Sequence, residues 1–299
     1  MQISVLYNHR HREIIMPPPL SITTCYAFVP LEESALKHLR EELLAFGTVR
    51  NMKGLTLIAS EGINATVCGT AAAIDAWKAR MRALKSEIHF KDSTAPSPVF
   101  RRWSVKIKPE IVAIKNPEIH GEKSHHHLSP AEWQAMLERE DVVVIDARND
   151  YEVALGKFRD AVDPKLRHFS DFPGYIRQSG IAKEKKVLLY CTGGIRCEKA
   201  LVAMEEEGYQ NVFQLHGGIL AYLEQFPHSY FDGECFVFDK RVAVDQNLRP
   251  SKTFMLCSEC GNPVKEPTCA ACRTRLTSAA PSSASVGHSA HLSPRCTTH

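Results

Sequence analysis

Residues 187–209 read VLLYCTGGIRCEKALVAMEEEGY. Val187, Leu188, Leu189 and Tyr190 form an unbroken apolar run, the pattern of a strand buried on both faces. The run stops at Cys191, and Gly193-Gly194 break the backbone pattern. A helix-like segment then starts near Cys197 and is stopped by Gly208. Strand, tight loop and helix in this order predict a parallel α/β sheet, with Cys191 at the carboxyl end of a central strand. Open α/β sheets bind ligands at that edge.

The loop between strand and helix is Thr192-Gly193-Gly194-Ile195-Arg196. Its glycines let backbone amides turn inward and form a nest for negative charge. The helix N-terminus adds to that positive field, and Arg196 adds a fixed charge. Such surroundings lower a thiol pKa and favour thiolate at neutral pH; they would equally hold the outer sulfur of a persulfide. Arg196 is the fifth residue after Cys191, giving Cys-x4-Arg, one residue short of the Cys-x5-Arg loop that encircles phosphate in cysteine phosphatases. The shorter loop suits a sulfur anion. A buried cysteine that merely ends a core strand would not need Gly-Gly, Arg and a helix start together. Cys197 is a candidate resolving thiol, or a helix-start residue packed beside the loop.

The same rhythm extends on both sides. Residues 129–139, SPAEWQAMLER, predict a helix capped by Ser129 with Pro130 at its first position. VVVIDAR at 142–148 and NVFQL at 211–215 are further buried strands, and GGILAYLEQFP at 217–227 is a further helix. Asp146, Arg148 and Glu152 follow the first of these strands; a structural ion pair is the expected role, with orientation of the loop as the alternative.

Residues 21–115 have a different order. TCYAFVPL (24–31) is a strand, EESALKHLREELLAFG (32–47) an amphipathic helix, and LTLIASEGINATVCG (55–69) two strands around a turn. AAIDAWKARMRAL (72–84) is a second helix and RRWSVKIKPEIV (101–112) a closing strand. This β-α-β-β-α-β order is the ferredoxin-like arrangement. Alternation in the last strand puts Trp103, Val105 and Ile107 on one face and Arg102, Ser104, Lys106 and Lys108 on the other. Arg102, Lys106 and Lys108 are thus candidate phosphate contacts, with a solvated strand face as the alternative. The turn Glu61 to Asn64 is a candidate binding element, with ordinary turn chemistry as an equally adequate reading.

The chain is therefore expected to be a multidomain α/β and α+β protein. Its parts are a flexible extension (1–20), a ferredoxin-like domain (21–115), a polar linker (116–128), a parallel α/β domain (129–230), a Cys-rich C-terminal segment (231–276) and a disordered tail rich in Ser, Ala, Pro and His (277–299). Met16, just before three prolines, is a candidate natural start. His125 to His127 are expected to be solvated linker residues.

The 299 residues are 44% hydrophobic and 24% charged with a net charge of +3, which neither demands nor excludes a nucleic-acid partner. No apolar run approaches the roughly 20 residues of a membrane span, and no signal peptide is legible, so a cytoplasmic location is expected. Ten cysteines in such a chain point to metal binding and thiol chemistry rather than disulfides. Cys257-x2-Cys260-x8-Cys269-x2-Cys272 presents two thiolate pairs on tight turns, the ligand set of a closed, structural zinc site. Cys25, Cys68, Cys235 and Cys296 have no partner spacing and are expected in core or tail. No dinucleotide fingerprint, haem motif or iron triad is present, so no nucleotide cofactor is expected, and nothing in the sequence speaks to oligomeric state.

Residues 129–227 resemble the rhodanese superfamily, through VVVIDARNDYEVALGKFRDAVD and LHGGILAYLEQFP. More narrowly, YCTGGIRCEKA, ARNDYE, ASEGIN and FVFDKRV together resemble the bacterial tRNA uridine hydroxylase family, TrhO, over roughly residues 21–275. The resemblance implies an enzyme that hydroxylates the wobble uridine of tRNA to 5-hydroxyuridine with molecular oxygen as co-substrate, with Cys191 as the essential cysteine. The extension, the tail and the HHH of the linker lie outside the family pattern. The rival expectations are a sulfurtransferase acting on thiosulfate or persulfides with the same loop, and a non-catalytic RNA-binding zinc protein.

Overall fold

The computed structural model describes residues 18–121, 125–139 and 141–278. The expected extension therefore lies outside the described residues up to position 17, and the expected tail from position 279. At both borders the ordered elements reach further than expected. The first strand, β1, spans Leu20–Phe28 and so includes Leu20. The last helix spans Ala270–Ser278, taking in the first two positions assigned to the tail.

The N-terminal sheet contains β1, β2 (Lys53–Ala59), β3 (Gly62–Gly69), β4 (Lys91–Ala95) and β5 (Trp103–Ile107) in the order β4-β1-β3-β2-β5. Helices α1 (Leu36–Val49) and α2 (Ala71–Arg82) cover one face. Thr70 caps α2 by accepting the Ala73 N–H at 3.2 Å. Alternation on the strands sends Cys25, Ile58, Ile63, Val67 and Val105 into a core around Trp77 and Leu43. The ferredoxin-like repeat is present, but its closing strand is not the expected one. β4, with the polar sequence KDSTA, pairs with β1 and completes the repeat. The strand from RRWSVKIK is a fifth one, parallel to β2 on the opposite edge. At that open edge Ile107 is 43% exposed, so it does not join Trp103 and Val105 in the core.

The second sheet is wholly parallel: β6 (His127–Leu128), β7 (Val142–Asp146), β9 (Lys186–Tyr190) and β10 (Asn211–Leu215), in the order β6-β10-β9-β7. Helices α5 (Phe172–Gln178) and α6 (Ile195–Glu206) pack on one face, α3 (Pro130–Arg139) and α7 (Gly218–Gln225) on the other, and the one-turn helix α4 (Asp150–Val153) follows β7. This double cover explains why β9 is apolar at successive positions. Ser129 caps α3 as expected, and Glu132 returns the bond to the Ser129 N–H, which makes the cap reciprocal. The linker is corrected: β6 belongs to the sheet, and Ile119 is buried in its core.

The C-terminal segment returns to both domains. β11 (Phe231–Gly233) pairs with β8 (Gly156–Phe158). β12 (Cys235–Phe236) and β13 (Ala243–Val244) form a hairpin whose turn touches the N-terminal domain, through Lys240 N–H to Val99 O at 3.0 Å and Arg241 Nη1 to Ser93 Oγ at 2.9 Å.

Candidate active site

Helix α6 begins at Ile195, two residues earlier than expected, which places Arg196 and Cys197 in its first turn. Cys191 follows β9 and is fully buried from bulk solvent. Gly194 holds the turn with φ of 99°, in the left-handed region that favours glycine. Its N–H points at Cys191 Sγ from 3.1 Å. Gly218 admits α7 close to the loop: a Cβ there would meet Cys191 O at 2.5 Å. The approach lets Ile219 N–H bind Cys191 O at 3.0 Å and Leu220 N–H bind Thr192 O at 3.1 Å.

Burial alone would raise the Cys191 pKa. A hydrogen bond from Cys197, the charge of Arg196, and the backbone N–H groups of Arg196 and Gly194 oppose it and bring the thiol down to about 5. Cys197, buried beside it, is pushed well up by burial and by the neighbouring Cys191 sulfur. At neutral pH the pair holds one proton, on Cys197. Arg196 is fixed by Glu152, with nitrogen-to-oxygen distances of 2.5 and 2.8 Å, and both side chains are almost wholly buried. Thr192 Oγ1 joins them, 3.3 Å from Glu152 Oε1. Glu152 thus orients the loop arginine, the role its sequence context left second. Asp146 and Arg148 form the buried ion pair expected of them, and Arg148 also donates to Gly156 O.

The thiol faces a cavity of about 320 Å³ between the domains. Its far wall is the sheet face that α1 and α2 leave uncovered. Cross-strand register puts Thr24 beside Thr66, Tyr26 beside Asn64, and Leu55 and Leu57 next to these. The same register sets Leu57 opposite Lys106 and Leu55 opposite Ser104. Arg102, Lys106 and Lys108 are exposed, and they extend this face outward from the cavity to the sheet edge. The hairpin turn of the C-terminal segment supplies Phe238, Asp239 and Arg241.

Several groups at this interface carried no sequence signal. Lys91, buried in β4, donates to Gly193 O at 2.8 Å. Burial lowers its pKa to about 8, against the pull of the Cys25, Cys191 and Glu198 charges. Glu198 accepts from Tyr26 Oη at 2.7 Å and from Gln214 at 3.2 Å, and lies 3.1 Å from His127 Nε2. Lys199 reaches Glu61 and Glu110 in the first domain, so Glu61 is more than a turn residue. The three linker histidines are not simply solvated. His125 lies 2.9 Å from Glu205, His126 Nδ1 3.1 Å from Val212 O, and His127 meets Glu198. His125, His126 and Glu205 bring ligand atoms within 4.8 Å of one another, while His127 turns away.

Cys257, Cys260, Cys269 and Cys272 converge, all four sulfurs lying within 4.8 Å of one another. Cys260 and Cys269 sulfurs are 3.9 Å apart, close to the roughly 3.8 Å edge of a tetrahedron with metal–sulfur bonds of about 2.3 Å. Cys269 N–H donates to Cys257 Sγ at 3.4 Å, and burial notwithstanding, backbone N–H groups bring the Cys257 pKa down to about 6. The donor set fits a metal ion. Cys25, Cys68 and Cys235 are buried, as expected, and Cys296 lies outside the described residues. Among the described residues, no helix is long and apolar enough to cross a membrane.

Residues 20–111 match the UPF0176 acylphosphatase-like domain, and residues 129–225 match the rhodanese-like domain. The chain is similar to a tRNA uridine(34) hydroxylase of Bdellovibrio bacteriovorus, 44% identical over 252 residues, covering 81% of this chain and 70% of the relative. The protein of that name from Synechocystis is 44% identical over 250 residues, covering 82% of this chain and 89% of its own. That from Rhizobium etli is 41% identical over 257 residues, covering 84% and 82%. Identity at this level, across both domains and most of each relative, is what common membership requires: the chain belongs to the tRNA uridine(34) hydroxylase family.

Proposed function

We propose that this protein hydroxylates uridine 34, the wobble base of tRNA, to 5-hydroxyuridine in the cytoplasm, with molecular oxygen as co-substrate. The observation that carries the reading is the Cys191 thiolate, lining a cavity that both domains and the C-terminal segment enclose. At about 320 Å³ the cavity lies at the small end of ligand sites, about 300–1,000 Å³. It suits one nucleoside rather than a folded RNA element. A base must leave the anticodon stack to enter, and bases of single-stranded loops do so readily.

The residues then divide the work. Gly194 and Arg196 N–H groups hold Cys191 as thiolate, with Glu152 fixing the Arg196 side chain. Cys197 keeps the proton and is the candidate resolving thiol: toward a Cys191 sulfenic acid it would form the S–S bond with loss of water. Arg102, Lys106 and Lys108, along the continuation of the cavity wall, take the RNA backbone. For balance, one oxygen atom of O₂ enters the base and the other leaves as water, with two electrons and two protons from a reductant. Cys257, Cys260, Cys269 and Cys272 would hold a zinc ion whose role is to close the fold of the C-terminal segment.

The test is mass spectrometry of tRNA nucleosides from cells lacking the protein, complemented by wild type or by Cys191→Ser. Loss of 5-hydroxyuridine and its derivatives, restored only by wild type, is expected. Unchanged levels in the deletion strain, where no parallel pathway supplies them, contradict the reading. The rhodanese-like match favours one rival, a sulfurtransferase. Sulfur transfer from thiosulfate to cyanide by the purified protein, with tRNA unchanged, would select it.

A further inference from the structure

Phe238 is 59% exposed, yet it lines the cavity that holds Cys191. A lone exposed aromatic is ordinary on a protein surface; this one is held in place by a built turn. Val237 N–H binds Val242 O at 2.9 Å, and Val242 N–H binds Asp239 O at 3.0 Å. Val242 sits at φ of 64°, a left-handed conformation that β-branched residues almost never adopt. The side chains of Asp239 and Arg241 are almost wholly inaccessible and joined by a bidentate ion pair, and Arg241 reaches on to Ser93. Such strain persists only where the surrounding structure over-determines it, as these turn bonds and the Asp239–Arg241 pair do here. The Phe238 ring is braced edge-on by Phe236, with centroids 5.0 Å apart. It lies 5.8 Å from the guanidinium carbon of Arg196, on the thiol loop itself.

We propose that Phe238 is the stacking platform for the base that enters the cavity, a substrate-contacting residue supplied by the C-terminal segment rather than by either domain. The proposal rests on the tRNA reading above. An aromatic face stacks on a base at little entropic cost. Leu55 and Leu57 on the neighbouring sheet face, with Val112 from the segment after β5, offer a second apolar surface across the cavity. A small sulfur donor such as thiosulfate would gain nothing from Phe238. The strained turn would then display an exposed aromatic ring for no purpose.

The experiment is protection of Cys191 from alkylation by iodoacetamide, using the full-length protein and an anticodon stem–loop RNA. One RNA carries uridine at position 34 and the other an abasic site. For wild type, the abasic site should raise the RNA concentration giving half-protection by about 10- to 100-fold, the range of one base–aromatic stack. Phe238→Ala and Phe238→Leu should raise it similarly with the uridine RNA and add little with the abasic RNA. Such non-additivity is the mark of a direct contact. Phe238→Tyr should behave as wild type, and each variant's half-protection concentration is read against its own alkylation rate without RNA. Equal protection of wild type and Phe238→Ala overturns the proposal, as does full additivity with the abasic site. No protection of wild type by either RNA overturns the tRNA reading itself, and the stacking role with it.

Discussion

Lys91 of the N-terminal domain places its ammonium 2.8 Å from the carbonyl oxygen of Gly193, inside the thiol loop of the rhodanese-like domain. The hydrogen bond joins two residues about a hundred positions apart and makes the first domain part of the reactive site. Losing a charged hydrogen bond costs about 1.5–3 kcal/mol. If that loss falls on the loop geometry needed for reaction, Lys91→Met should lower tRNA modification about 10- to 100-fold.

The same lysine has a pH signature. Its pKa in the folded protein is about 8, below its ordinary 10.5. Between these values the unfolded chain binds more protons, so this group makes stability rise with pH across that window. Urea denaturation near pH 8 and near pH 10 should show wild type gaining on Lys91→Met at the higher pH. A constant difference would contradict the buried ammonium.

Cys191 should titrate near pH 5 instead of its ordinary 9. Its alkylation rate should be flat from pH 8 to 6 and should fall as pH drops through about 5. The depressed pKa also contributes stability that is complete above about 9 and is lost as pH falls toward 5. Cys197→Ala removes a hydrogen-bond donor to the thiolate, so the inflection should move to higher pH.

Glu152 and Arg196 form a buried pair. Breaking such a pair leaves a buried charge uncompensated and costs about 3–5 kcal/mol. Glu152→Ala should destabilise the protein by that order in urea denaturation, and modification should be lost with it.

The basic edge should act through salt. Lys106→Ala and Lys108→Ala should weaken tRNA binding and flatten its logarithmic dependence on salt by about 0.7–0.9 per phosphate contact removed. Cys191 alkylation without RNA should not change. An unaltered slope would leave these residues as a solvated strand face.

The strand–loop–helix unit around Cys191 was legible because local patterns carry it: an apolar run, a Gly-Gly break and a helix start. The four-cysteine cluster was legible by spacing. β4 was not, because Lys-Asp-Ser-Thr-Ala has no apolar alternation; its pairing with β1 and its buried lysine are set by tertiary context. Contacts between domains, such as Lys91 with Gly193 or Tyr26 with Glu198, leave no periodic trace in a chain. Glu152 reads in sequence as a structural ion-pair residue first and a loop-orienting one second, and only the fold brings it to Arg196. The histidine run reads as solvated because it is polar and lies in a polar linker, whereas β6 pairing draws His127 onto the sheet.

The most direct test of Cys191-dependent hydroxylation is growth under isotopically heavy dioxygen, followed by mass mapping of the anticodon fragment of tRNA. Cells carrying the wild-type protein should place one heavy oxygen on uridine 34, and cells carrying only Cys191→Ser should place none. Heavy oxygen at uridine 34 in the Cys191→Ser cells, or its absence with wild type, would contradict the assignment.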